Sequence, residues 1–169
     1  YFYKINNFLF FNSILSRGYK TSGINQTQSP FLSEKLRIYN TEYSNNIELG
    51  FDYKNTKYNF KINSFYMHRD NPQLRLSYQV DPQDPTSFDY ATFNADMAYH
   101  YGLEMNLSIH VTKNILFLQS FSKLNTYVSE FEYRGTTYGN REIAHSPNNQ
   151  YNIGMTNHIS DNLIFDMQS

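Results

Sequence analysis

Histidines and carboxylates are the first side chains in this sequence that could do chemistry. His100 and Glu104 stand four residues apart, a spacing that on a helix would let them share a metal ion. On a strand four residues span about 13 Å, so the two side chains could not share an ion there. The spacing therefore indicates a metal site only if the segment is helical.

A proline-rich stretch supplies a second set of carboxylates. Asp81, Asp84 and Asp89 could hold calcium, but they lack the alternate spacing with a glycine that an EF-hand loop uses. Aspartates beside Pro82 and Pro85 are typical of turns. The sequence therefore predicts neither a metal site nor a cofactor.

His145 and Ser146 are the residues that most resemble a nucleophilic pair. No aspartate or second base is placed in the sequence to complete a triad with them. The chain also contains no cysteine, which removes cysteine nucleophiles, thiolate metal sites and disulfides together. We therefore expect a protein that is not an enzyme.

Basic side chains in or near the polar connections are candidates for binding an anion, because a guanidinium offers forked donors to an anionic group. The alternative is that these residues are solvated loop charges. The candidates for ligand binding are Arg37, Arg69, Arg141 and His145, and Arg134 occupies a similar position.

Residues 91–112 set the expected fold. Every odd position from Ala91 to Val111 is apolar and nearly every even position is polar, which is the period of a strand with two unlike faces. As one strand it would be on the order of 70 Å long, well beyond the usual strand of soluble proteins. Such a strand suits a barrel that meets lipid outside and water inside. The residues expected to face lipid are Tyr99, Tyr101, Leu103, Met105, Leu107, Ile109 and Val111.

The remaining chain predicts about seven antiparallel strands joined alternately by short turns and long loops. Short turns are expected at 5–7, 55–57, 113–114 and 161–162, and long connections at 21–40, 81–85 and 135–149. This alternation is typical of an up-and-down transmembrane β-barrel. The facing of 115–134 stays open, because Phe117 and Phe121 compete with Leu116, Leu118 and Leu124 for the apolar side.

Composition limits the function classes. The 169 residues are 40 % hydrophobic with a negative mean hydropathy, and no run is long enough for a membrane helix. The net charge of −1 gives no indication of a nucleic-acid partner. The 16 Tyr and 14 Phe suit the aromatic girdles of a membrane barrel. Because the chain begins at Tyr1 without a signal peptide, we expect an internal fragment of a longer secreted protein.

Several stretches resemble the later barrel region of the TonB-dependent outer-membrane receptors. They occur in the family's order over nearly the whole chain. The stretches are Ser16-Arg17-Gly18-Tyr19-Lys20 with Gly23-Ile24-Asn25, Leu32-Ser33-Glu34, Ile47-Glu48-Leu49-Gly50-Phe51 with Tyr53-Lys54, Asn63-Ser64-Phe65-Tyr66 with Asn71-Pro72-Gln73, Asn94 with Tyr101-Gly102-Leu103-Glu104, and residues 139–147.

The resemblance implies that residues 1–169 are part of a receptor barrel domain whose plug and final strands are absent from the sequence. It implies a protein of the bacterial outer membrane that contacts lipid. It further implies import of a scarce nutrient, most often a ferric siderophore or similar chelate. The implied energy source is the TonB protein, engaged through the missing N-terminal part.

Two alternatives stay open at the level of sequence. One is a porin-like outer-membrane channel without a plug, which the alternating strands alone do not distinguish from a receptor. The other is a soluble carbohydrate-binding β-sandwich, in which Tyr138 and Tyr151 would stack on sugars. The length of the predicted strand at 91–112 disfavours the sandwich.

Overall fold

The structure, a computed structural model, describes residues 1–26, 37–81, 83–133, 136–143, 146–160 and 163–169. These residues contain no helix of the length and hydropathy that crossing a membrane would require. They form fourteen strands, which in chain order are β1 Phe2–Lys4, β2 Leu9–Lys20, β3 Gly23–Ile24, β4 Ile38–Tyr39, β5 Glu42–Lys54, β6 Tyr58–Asp70, β7 Gln73–Gln79, β8 Phe88–Asn94, β9 Met97–His110, β10 Ile115–Val128, β11 Phe131–Tyr133, β12 Thr136–Tyr138, β13 Asn149–Ser160 and β14 Leu163–Gln168.

Eight of these strands form one antiparallel sheet in the order β1-β2-β5-β6-β9-β10-β13-β14. Each strand lies beside the next long strand of the chain, so the sheet is an up-and-down meander. The other six strands form three small hairpins, β3 with β4, β7 with β8 and β11 with β12, and each lies within a long connection. The predicted all-β, antiparallel up-and-down architecture, with long loops alternating with short turns, is confirmed.

The short turns are closed by one polar side chain each. The Oδ1 atom of Asn6 accepts the backbone N–H groups of Phe8 and Leu9. The Oδ1 atom of Asn55 accepts those of Lys57 and Tyr58, and the hydroxyl of Thr112 accepts those of Asn114 and Ile115. Such side-chain turns fix the register of the strands that follow, because the hairpin must pair outward from them. The predicted turn at 161–162 lies outside the described residues.

The prediction of a single strand over 91–112 is wrong. The ladder breaks at Ala95 and Asp96, where β8 ends and β9 begins, and β8 leaves the main sheet to pair with β7. The facing chain breaks at the same level: Asn71 has a φ of 51° and Pro72 has no N–H to donate. The polar and apolar alternation continues through the break in the same phase, so the pattern gave no sign of it. Above the break the alternation buries Ala91 and Phe93 in a core between loops.

The main sheet has two faces of opposite character, because directly paired residues of antiparallel strands share a face. The side that carries the odd-numbered residues of β9 is termed the apolar face, and the other the polar face. One row of paired residues on the apolar face, from β2 to β13, is Phe11, Phe51, Ile62, Met105, Phe121 and Tyr151. The adjacent row on the polar face is Asn12, Gly50, Asn63, Glu104, Ser122 and Gln150.

The same register resolves the facing of β10. Phe117 is paired with Ile109, and Phe121 with Met105, so both phenylalanines lie on the apolar face. The three leucines that competed with them, Leu116, Leu118 and Leu124, therefore lie on the polar face.

Candidate functional site

A buried ion pair lies on the polar face where β5, β6 and β9 reach the long connections. The Nε–H of Arg69 donates to Oε1 of Glu42 across 2.7 Å, and the two side chains are only 19 % and 10 % exposed. A terminal guanidinium nitrogen of Arg69 lies 3.3 Å from Nε2 of His100 on the next strand. Because the carboxylate compensates the guanidinium charge, Arg69 positions its neighbours more than it attracts an incoming anion.

Gln73 joins two long connections at this ion pair. Its backbone N–H donates to Oε2 of Glu42 across 2.8 Å. Its side-chain amide nitrogen, which carries two hydrogens, lies within hydrogen-bond distance of the carbonyl oxygens of Lys20, Thr21 and Asn40, at 3.3, 2.8 and 3.0 Å. The first long connection begins at the first two of these carbonyls and ends at the third. One buried side chain therefore holds both of its ends.

The second and third long connections pack against each other around aromatic rings. The ring centroids of Phe93 and Phe131 are 5.0 Å apart, and Phe131 stacks on Tyr138 at 5.7 Å. Beneath them Ala98 and Val128, both on the polar face of the main sheet, are buried. The connections thus fold over the end of the polar face instead of extending freely from the sheet.

Two asparagines complete the links between the connections. Asn25 exchanges two hydrogen bonds with the backbone of Thr92, at 2.6 and 2.8 Å. Asn94 accepts the N–H of Asn40 at 2.7 Å and donates to the carbonyls of Asn40 and Asn71, at 3.1 and 2.7 Å. All three long connections are therefore joined, directly or through a neighbour. They are termed the loop assembly, which comprises the described residues of 21–41, 71–96 and 129–148.

The predicted ligand-binding residues occupy different parts of this region. Arg69 lies on the polar face below the loop assembly and is ion-paired. Arg37 and Arg141 are exposed on the first and third long connections, where their carbonyls accept the N–H groups of Asn25 and Val128. His145, like Arg134, lies outside the described residues. That these residues bind a ligand stays a prediction.

The carboxylates of the second connection are used in turns. Asp81, Asp84 and Asp89 each accept a backbone N–H from within the next two residues. The hydroxyl and N–H of Thr86 both donate to Asp84, and they lower the pKa of its carboxyl below the ordinary value. In the part of the chain that the structure describes, no group of three or more potential metal-binding side chains is close enough to hold an ion. Nor is His100 placed to attract a cation, since it lies beside the Arg69 guanidinium.

The residues expected to face lipid lie along β9, with one just beyond its end. Tyr99 lies at the loop end of the strand, where its ring stacks on Tyr127 at 5.1 Å and on His68 at 6.0 Å. Val111 lies one residue beyond β9, in the turn. The six predicted residues that lie on the apolar face of β9 are Tyr99, Tyr101, Leu103, Met105, Leu107 and Ile109.

Two further arginines, not identified as candidates from the sequence, lie over aromatic rings. The guanidinium of Arg17 lies 4.9 Å from the ring centroid of Tyr43, and that of Arg75 lies 4.9 Å from that of Tyr90. Each pair joins neighbouring strands diagonally. The signal that would have found them is the strand register, as it would be for Glu42, which lies diagonally across from Arg69. The contacts of Gln73 join separate connections and do not follow from its register.

An up-and-down antiparallel sheet with one apolar and one polar face, and with its long loops gathered at one end, is typical of the wall of a membrane β-barrel. The family model of the TonB-dependent receptor-like β-barrel matches residues 3–163. The chain therefore belongs to the TonB-dependent receptor family and forms part of its β-barrel, which confirms the resemblance seen in the sequence.

Solved structures show the same fold at low sequence identity. The ferric yersiniabactin uptake receptor FyuA from Yersinia pestis is 18 % identical with a TM-score of 0.69, and the match covers 92 % of this chain and 22 % of that one. The siderophore receptor PirA from Pseudomonas aeruginosa is 15 % identical with a TM-score of 0.65, covering 99 % and 28 %. The copper transporter OprC is 11 % identical with a TM-score of 0.57, covering 97 % and 31 %. A comparison with curated proteins finds no match. The chain thus spans under a third of the length of these structures.

Proposed function

We propose that this chain is part of an active-transport receptor of the bacterial outer membrane, which binds a scarce nutrient at its loop end and imports it. The nutrient we propose is a ferric siderophore or a similar metal chelate. The observation that carries the proposal is the loop assembly: three long connections of a receptor-family barrel fold together over the polar face. Gln73 and Glu42 anchor them to the wall. Such a fixed arrangement suits a binding surface, because its side chains are positioned before the ligand arrives.

The faces of the sheet support a place in a membrane. On β9 the tyrosines Tyr99 and Tyr101 stand at the loop end, and the aliphatic residues from Leu103 to Ile109 follow toward the turn. On β6 the order is Tyr66, then Ser64, Ile62 and Phe60, then Tyr58. An apolar band between aromatic girdles is the outward pattern of a membrane barrel. We propose that the apolar face contacts lipid, with Val111 at its turn-side border, and that the polar face lines the interior.

Basic side chains of the loop assembly supply candidate contacts for an anionic chelate. Arg37 and Arg141 are exposed, and we retain them with His145 as proposed ligand contacts. Arg69 has a positioning role in this proposal, since Glu42 already pairs its charge. FyuA, a ferric yersiniabactin uptake receptor, and PirA, a siderophore receptor, favour an iron chelate as the nutrient, while the copper transporter OprC leaves copper as the second candidate.

The test uses the full-length receptor in a bacterial host that lacks its own siderophore receptors. We expect accumulation of a radiolabelled ferric siderophore from an iron-limited medium, and loss of that accumulation when the host's TonB is deleted. The double variant R37A/R141A should raise the half-saturating concentration, whereas K57A, in a short turn at the opposite end, should leave it unchanged. Uptake that persists without TonB and extends to unrelated small solutes would support a plugless channel instead. Uptake of copper with no iron chelate transported would overturn the proposed substrate.

A further inference from the structure

A groove of about 430 Å³ opens on the apolar face close to the loop end. It lies across β2, β5 and β6. Two rows of paired residues line it: Leu15, Ile47 and Tyr66 in the row nearer the centre of the sheet, and Arg17, Asn45 and His68 in the row nearer the loops. The groove is therefore apolar along one side and polar and basic along the other.

The apolar side continues the band that we propose to meet lipid. Leu15 is 79 % exposed, and its neighbour across the ladder, Ile47, is exposed as well. Nothing in the described residues covers these two side chains, so an acyl chain has a surface to lie on. The step from the leucine row to the arginine row is two residues along the strand, about 7 Å. That distance matches the passage from the hydrocarbon edge to the headgroup layer of a leaflet.

The basic side of the groove is held in place by stacking. The guanidinium of Arg17 lies over the ring of Tyr43, 4.9 Å from the ring centroid. This contact holds the guanidinium on the apolar face, at the loop end of the groove. A stacked guanidinium still presents the edge of its fork to an acceptor. Among the described residues Arg17 forms no ion pair. Its charge is available to a partner in the membrane.

A histidine and an aspartate beside the groove contact each other. Nδ1 of His68 lies 3.5 Å from Oδ1 of Asp70, and Asn45 donates to Oδ2 of the same carboxylate at 3.4 Å. The His68 ring also stacks on Tyr99. The Asp70 carboxylate is thus engaged by His68 and Asn45, and the Arg17 guanidinium, which forms no ion pair among the described residues, is the group that selects the headgroup.

We propose that this groove binds a phosphate-bearing lipid of the leaflet at the loop end, with the phosphate on Arg17 and an acyl chain along Leu15 and Ile47. The proposal rests on the proposed function, because the apolar face must meet the membrane. A phosphate suits the site since its oxygens match the guanidinium fork. Basic pockets between membrane-spanning helices recognise anionic headgroups through the same kind of contact.

The experiment measures lipid retained by the full-length receptor, purified in maltoside detergent, by native mass spectrometry. The probe is dioctanoyl phosphatidic acid, compared with dioctanoyl glycerol and with inorganic phosphate. We expect one tightly retained phosphatidic acid, with weaker binding of the two comparison molecules. Arg17→Gln should weaken retention about five- to tenfold, and Arg17→Lys should recover part of it. Lys20→Gln, at the same end of β2 but on the polar face, should behave as the unaltered receptor.

Equal retention by R17Q and the unaltered receptor would overturn the proposal, as would full competition by inorganic phosphate, which would make the site one for a free anion. Folding of each variant is checked by its heat-dependent migration in SDS gels. The uptake assay of the preceding section separates the two proposals. If uptake depends on TonB but R17Q retains as much lipid as the unaltered receptor, only the proposed lipid site is overturned. Two results together would overturn both the lipid site and the proposed function. They are uptake that no longer depends on TonB, and reaction of the cysteine in Leu15→Cys with water-soluble thiol reagents in intact membranes.

Discussion

The backbone N–H of Gln73 donates to the carboxylate of Glu42 across 2.8 Å, and so ties the start of the second long connection to the first residue of β5. The same carboxylate is paired with Arg69. The wall and the loop assembly therefore share one buried carboxylate, and changes on either side of it should be felt on the other.

Removing the Gln73 side-chain amide should loosen the first long connection while the wall stays intact. In Gln73→Ala the carbonyl of Thr21 loses the Gln73 donor and that of Asn40 keeps only the Asn94 amide, at a cost of about 2 kcal/mol for the lost bonds together. Hydrogen–deuterium exchange on the full-length receptor should show faster exchange in residues 21–26 and 37–41 than in β5 and β6. Gln83→Ala, in an exposed turn, is the control. Unchanged exchange in those segments would contradict the clamp.

The Glu42–Arg69 pair should show strong energetic coupling. Arg69→Gln leaves a carboxylate that is 10 % exposed without its cation, and we expect a loss on the order of 3 kcal/mol in the free energy of unfolding. In E42Q/R69Q the uncompensated charge is gone, so the double variant should be more stable than R69Q alone. A double-mutant cycle from denaturant unfolding in detergent measures this. Strictly additive losses would mean that the two side chains do not interact.

Two glycines on the polar face should respond differently to the same substitution. A Cβ at Gly102 would collide with the carbonyl oxygen of Lys123 and lie 2.8 Å from the ring of Phe65, its paired residue on β6. A Cβ at Gly154 would meet only ordinary contacts at 3.5 Å. We expect Gly102→Ala to cost about 1–3 kcal/mol and Gly154→Ala to be neutral or slightly stabilising. The midpoint of thermal unfolding checks both, and a larger loss at Gly154 would contradict the packing.

The two faces of β9 should differ in their tolerance of charge. Leu107→Arg places a cation on the apolar face, where a charge costs about 2–4 kcal/mol at the bilayer midplane and less toward the interfaces. Ser108→Arg places the same charge on the polar face, one residue away. We expect the first variant to reduce the folded receptor in outer-membrane fractions and the second to leave it near the original level. The opposite order would reverse the assignment of the faces.

The turn at Asp84 should weaken in acid. Since the hydroxyl and N–H of Thr86 lower the pKa of this carboxyl in the folded chain, its stabilising effect is full above the unfolded pKa and is lost as the pH falls through the folded pKa. The pKa is read from the carboxyl carbon shift of isotopically labelled aspartate. Thr86→Val removes one donor and should move the pKa upward toward the ordinary value. A pKa that does not move would show that the hydroxyl contributes nothing.

Local sequence signals predicted the wall well. Asn6 and Asn55 sit in expected short turns and Thr112 directly precedes one, and each fixes the register of a hairpin through backbone N–H groups within three residues of it. The face on which each side chain lies could also be predicted wherever one side of a strand was purely apolar. It could not be assigned for β10, because Gln119 and Lys123 lie on its apolar face while leucines lie on the other.

The candidate site was beyond the reach of such signals. Gln73 reaches Thr21 and Asn40, which are 52 and 33 residues away, so its role depends on how separate connections meet. The break at Ala95 was hidden for a different reason. Both segments around it need alternating side chains, one to fill a core between loops and the other to cover a wall, and a period of two is common to both.

That break bears on how such a protein can diverge over generations. The joint between the wall and the β7–β8 arm is closed by main-chain hydrogen bonds, from Asn71 to Asp96 and from Ala95 to Pro72, each 3.1 Å long. Main-chain bonds do not depend on side-chain identity, so beyond Gln73 the arm can accept new residues, or be replaced, while the wall keeps its pairing. Mutation can thus explore new outer surfaces at little risk to assembly. Ala95 and Ala98 are buried at the joint, so we expect the small size of their side chains to be retained as the sequence diverges.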